Sequence, residues 1–91
     1  MTIETIPDIT PAGAATPLSA TGIKATWVKF VASGSSIRVG DANVGASRGL
    51  NIPTGVLVNF DRLDVHQGFY DLSRLYVYGT GTDKVSITYG V

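Results

Sequence analysis

Along most of its length the chain alternates apolar and polar residues with a period of two, the pattern of half-buried β-strands and not of helices. The last stretch is clearest: Val85, Ile87, Tyr89 and Val91 are separated by Ser86, Thr88 and Gly90. Over 72–79, Leu75 and Val77 alternate with Arg74, Tyr76 and Tyr78; further back, Val56, Val58 and Phe60 alternate with Leu57 and Asn59, and Ile37 and Val39 flank Arg38. Residues 50–52 read as a short strand and 15–21 as a weak one. The longest β-rich run, 23–32, is apolar on both sides. A continuous strand there puts Ile23, Ala25, Trp27 and Val31 on one face, Thr26, Val28, Phe30 and Ala32 on the other, and Lys24 and Lys29 on opposite faces. Such a strand is either central and covered, or carries an interface on its second face. Gly34-Ser35, Gly40-Asp41-Ala42-Asn43, Pro53-Thr54-Gly55 and the segment Gly79 to Asp83 punctuate the strands with turn chemistry. Residues 61–71 are irregular, with room for one helical turn. The expectation is an all-β chain: a small antiparallel β-sandwich, jelly-roll-like, of six to seven short strands.

The beginning differs. Ile3, Ile6 and Ile9 recur at every third position, but Pro7 and Pro11 exclude a stable helix. Residues 1–13 read as an extended arm and 14–91 as one domain. Ordering a free arm costs about 1–2 kcal/mol per residue in backbone entropy. The arm is therefore expected to be mobile in an isolated chain and to settle where its isoleucines find a neighbouring subunit. The plainer alternative is an unattached terminus.

Composition narrows the picture. With 91 residues and no cysteine, the chain has neither disulfides nor thiolate metal sites to compensate for a small core. Oligomerisation or docking on a partner is the common remaining solution. Seven basic residues are scattered singly against seven acidic ones, without the basic stripe that phosphate neutralisation requires, so no nucleic-acid partner is expected. A hydrophobic share of 44% with 15% charged residues points to surface that is itself covered by something else. The first residues lack the basic and apolar regions of a signal peptide, and no run reaches the length of a membrane span, so no membrane partner is expected either. A soluble protein made in the cytoplasm is the expectation.

Candidate chemistry is sparse. Asp61, Asp64, His66 and Asp71 form the one dense group of hard-metal ligand types, but their spacing matches no EF-hand loop, and the interleaved Leu63, Val65, Phe69 and Tyr70 favour a loop lying over the core. With one histidine and no cysteine, a triad would have to use His66, and no serine sits in a G-x-S-x-G elbow. Gly40, Gly45 and Gly49 lack the strand-to-helix setting and the Lys-Ser/Thr of a phosphate loop, and read as backbone turns. No Asn-x-Ser/Thr sequon is present. No catalytic residue, metal or cofactor is expected. Trp27, Tyr76 and Tyr78 are of the types enriched at protein interfaces and at sugar-stacking faces.

Three passages carry a resemblance: A-T-W-V-K-F-V-A (25–32), I-R-V-G-D-A-N-V-G-A-S-R-G-L (37–50) and D-L-S-R-L-Y-V-Y-G-T-G-T-D-K-V-S-I-T-Y (71–89). In order and turn grammar they resemble small structural proteins of tailed bacteriophages, from about residue 15 onward. The resemblance implies a compact β-sandwich in the virion, often a cement or decoration protein on the capsid, sometimes a tail, baseplate or fibre part. It implies no cofactor and no catalytic residue. The partner expected from it is the major capsid protein, with the chain itself a homo-oligomer, a trimer being favoured. Partner-binding residues are then expected among Ile3, Ile6, Ile9, Trp27, Tyr76 and Tyr78.

Overall fold

The computed structural model describes residues 3–34, 37–60, 70–80 and 83–91. Ten strands run through them: β1 (Ile3–Ile9), β2 (Thr16–Pro17), β3 (Lys24–Ala25), β4 (Trp27–Ser33), β5 (Arg38–Gly40), β6 (Leu50–Asn51), β7 (Leu57–Phe60), β8 (Tyr70–Asp71), β9 (Tyr76–Tyr78) and β10 (Lys84–Gly90). They form a four-stranded sheet A in the order β1-β10-β4-β7, a four-stranded sheet B in the order β2-β9-β5-β6, and a two-stranded ladder, β3-β8. Every ladder between these strands is antiparallel. The all-β, antiparallel expectation holds; the count of six to seven strands does not, because the N-terminal arm itself forms β1, the run 23–32 divides into β3 and β4, and Tyr70–Asp71 adds β8.

The pairings nest: β1 with β10, β2 with β9, β3 with β8, β4 with β7, and β5 with β6. This is the connectivity of one long hairpin, with its tip between β5 and β6, whose paired segments lie in turn in sheet A, sheet B, the two-stranded ladder, sheet A and sheet B. The inward side chains of both sheets meet in one cluster. Val28, Phe30, Ala32, Val85, Ile87 and Tyr89 come from sheet A and Val39 and Val77 from sheet B, with Leu18, Ala25, Ile37, Ile52 and Leu72 filling the ends. Phe30 and Phe60 meet edge-to-face with centroids 5.2 Å apart, and Phe60 reaches Tyr70 at 5.8 Å.

Three differences from the expected strands have identifiable causes. The run 23–32 is not continuous. At Thr26 both the backbone N–H and the hydroxyl donate to the Gly90 carbonyl, at 2.7 and 3.2 Å. The break resets parity, so Ala25 and Val28 are both buried while Val31 is exposed; Ala25 and Val31 do not share a face as expected. The weak strand over 15–21 shrinks to β2, an edge position that tolerates Pro17, which has no N–H to donate. Residues 72–75 form a turn instead of the start of a strand. Asp71 accepts from the Ser73 backbone at 3.0 Å and the Ser73 hydroxyl at 2.7 Å, and the Arg74 N–H reaches the Asp71 carbonyl. Most of the irregular stretch 61–71, with its expected helical turn, lies outside the described residues.

The N-terminal segment is extended, but it is seated on its own chain. β1 pairs with β10 from Ile3↔Gly90 to Ile6↔Ile87, and after a bulge again at Ile9↔Val85.

Candidate functional site

Directly opposed residues of an antiparallel ladder point to the same side, so the registers define two outer faces, one on each side of the shared core. On sheet A the rows are Ile3–Gly90–Trp27, then Thr5–Thr88–Lys29–Asn59, then Ser86–Val31–Leu57. The Ser86 hydroxyl donates to Asp8 at 3.1 Å, tying the β1 edge to this face. Trp27 lies across the glycine in its row: a Cβ at Gly90 would overlap the indole. The Lys29 ammonium sits 5.5 Å from the indole centroid, within cation–π range. Val31 (37% exposed) and Leu57 (52%) are direct cross-strand partners open to solvent, with Val56 beside them at 50%.

On sheet B the outer rows are Pro17–Tyr76–Gly40 and Tyr78–Arg38–Asn51. Tyr76 and Tyr78 flank the buried Val77 and are half-buried themselves. Next to them the loop after β5 is folded by its own backbone. Asp41 accepts from the Asn43 N–H at 2.9 Å, Gly45 and Arg48 exchange two backbone bonds, and Arg38 donates to the Gly49 carbonyl at 3.0 Å. Gly49, with φ +110°, leaves room for Val44. The glycines of this segment act as backbone.

The expected partner-binding residues therefore do not form one surface. Ile6 and Ile9 pack against the core, whereas Ile3 is 67% exposed and stands in the Trp27 row. Strand parity and the bulge together cause this division. Residues three apart in a regular strand face opposite ways, as Ile3 and Ile6 do, and the extra residue between Ile6 and Ile9 turns Ile9 back inward. Tyr76 and Tyr78 stay together, but on the opposite side of the molecule from Trp27. The sequence reading missed the Val31–Leu57 pair; its trace was an apolar residue at the parity of Lys29 in β4.

Asp61, Asp64 and His66, the core of the metal-ligand candidate, lie outside the described residues. Asp71 is committed to its turn: the Ser73 hydroxyl first, then the Ser73 N–H, with Arg74 and Lys24 nearby, hold its carboxyl below the ordinary 3.8, against a smaller desolvation. Among the described residues no pocket opens, no group of three potential metal ligands converges, and no polar or charged residue is buried. What these residues offer chemically is two open sheet faces, one with an apolar pair and a tryptophan, the other with two tyrosines and an arginine. In comparisons with known proteins, no family model, no curated protein and no solved structure matches the chain.

Proposed function

We propose that the chain is a non-enzymatic structural protein of a tailed-bacteriophage virion, a jelly-roll-like β-sandwich that decorates the capsid surface and cements it by bridging major capsid protein subunits. The observation that carries this reading is the nested pairing from β1·β10 down to β5·β6 over two four-stranded sheets. A long hairpin folded into two sheets is the jelly-roll plan, which recurs in viral capsid and lectin domains. The exposed Val31–Leu57 pair supplies an apolar contact on a face that also carries Ile3 and Trp27, two rows away across the threonines, Lys29 and Asn59. In a cement protein each contact is individually weak, and the shell is held by many copies acting together, here as homo-oligomers with a trimer favoured. The protein would be made in the host cytoplasm and reside on the capsid surface.

The test is a pull-down against the major capsid protein, together with electron microscopy of particles assembled with the wild type and with Val31→Asp. Val31 is 37% exposed and lies in a central strand, so the substitution should cost about 1–2 kcal/mol, leaving the protein folded by circular dichroism while lowering occupancy. Full occupancy by Val31→Asp would remove this face from the mechanism, and no binding by the wild type would remove the capsid reading.

A second reading, a tail, baseplate or fibre module binding a host-surface glycan, is supported by the Tyr76–Tyr78–Arg38 arrangement on the two central strands of sheet B. Aromatic rings beside a multiple hydrogen-bond donor suit sugar stacking. Trp27, on the other side, does not belong to such a face. A glycan array probed with wild type and with Tyr76→Ala/Tyr78→Ala separates the two readings, since a cement protein gives no glycan signal.

A further inference from the structure

We propose that β1 is exchanged between copies of this chain, so that Ile3–Ile9 of one copy pairs with β10 of another in the register seen within one chain. Four observations point to the exchange. First, β1 is an edge strand and, among the described residues, its one ladder is with β10, so the same bonds form whichever copy supplies the strand. Second, the ladder is discontinuous. Pro7 has no N–H to give and a bulge separates Ile6 from Ile9, which leaves β1 easier to detach than a regular strand.

Third, the hinge stores strain. The Ala14 N–H reaches the Pro11 carbonyl at 3.2 Å around Ala12 (φ +54°) and Gly13 (φ +82°). That is a type I′ turn with alanine where Asn, Asp or Gly is favoured. Opening the hinge returns Ala12 to the negative φ that its Cβ prefers, and strained hinges of this kind invite swapping. Fourth, the vacated slot selects its own strand. Detaching β1 uncovers Val85 and Ile87, which Ile9 and Ile6 cover, and a second copy supplies the same two isoleucines at the same spacing. Among the described residues the closed form is held by the Gly13 N–H donating to the Gly79 carbonyl at 2.6 Å and by the burial of Pro11. Exchange is therefore slow and favoured by high protein concentration. This inference goes beyond the virion reading and stands on the fold alone.

The chain has no cysteine, so introduced thiols report the pairing without interference. Thr5 and Thr88 are directly opposed, at a separation a disulfide spans. A Thr5→Cys chain and a Thr88→Cys chain, made with tags of different mass, are mixed at high concentration, incubated and oxidised, then run on a non-reducing gel. A double variant in one chain is oxidised at low concentration as the control for cis pairing. Exchange predicts a mixed-mass crosslinked species, reduced several-fold when Ala12→Asn, which relieves the turn, is added to both partners. Intrachain crosslinking of the control with no mixed species overturns the exchange. Absence of crosslinking in both samples overturns it as well, because the β1–β10 ladder itself would not have formed. A mixed species unaffected by Ala12→Asn overturns the strained hinge as its cause.

Discussion

Gly49 meets two constraints at once. Its φ of +110° is disfavoured for any residue with a Cβ, and that Cβ would stand 2.9 Å from the Val39 carbonyl oxygen and press on Val44. Gly49→Ala should therefore destabilise the fold by about 2–4 kcal/mol, combining backbone strain with overpacking, as read by urea denaturation; Gly45→Ala, with φ in the ordinary range and open space at its Cβ, is the matched control. Asp71 governs a pH effect. Its folded-state carboxyl is held below the ordinary 3.8, so the stabilisation it contributes is present above that value and is lost as pH falls through it and below. The difference in melting temperature between wild type and Asp71→Asn should accordingly be constant near neutrality and shrink at acid pH, and a difference independent of pH would contradict the Ser73 bonds as the cause. Residue-level legibility was uneven for a physical reason. Tyr76, Tyr78, Val85 and Ile87 face as their alternation dictates because their strands are regular. Thr26 could not be read as a break, because the carbonyl that stops the strand belongs to Gly90, far along the chain.

At the scale of the element, β1 shows how a periodic pattern can mislead. Three isoleucines at every third position look like one stripe, yet strand parity sends Ile3 outward and Ile6 inward, and the bulge turns Ile9 inward beside Ile6. Ile6→Ala should cost about 1–3 kcal/mol through lost burial, and Ile3→Ala less than about 0.5 kcal/mol, by thermal or chemical denaturation. Equal costs would mean that the strand does not sit in this register. β9 and β10 were legible in which way their residues face because each has one face in the core and one toward water. The two-faced run 23–32 was not, since both of its parities are apolar and only the partner strands decide where β3 ends and β4 begins. Of the candidate surfaces, the tyrosine pair could be read because both members lie on one strand. The Val31–Leu57 pair could not, because it exists only through the pairing of β4 with β7.

For the molecule as a whole, the nested ladders set an order of assembly. Closing a loop costs more entropy as it lengthens. The pair β5·β6 is joined by a single loop, whereas β1·β10 joins the first and last of the described strands. Each inner pair shortens the loop the next must close, so the hairpin zips outward from its tip and β1 docks last. Mutations near the tip should act on the folding rate and mutations in β1 on the unfolding rate. In stopped-flow experiments Val39→Ala is expected to slow refolding, while Ile6→Ala leaves refolding nearly unchanged and accelerates unfolding; a refolding rate that falls equally for both would reverse the order. A nascent chain leaving the ribosome would then carry β1 unpaired while every other described strand emerges, since its partner β10 follows them all. Crowded polysomes, where many such ends lie close together, would be where neighbouring chains first meet one another's open edge.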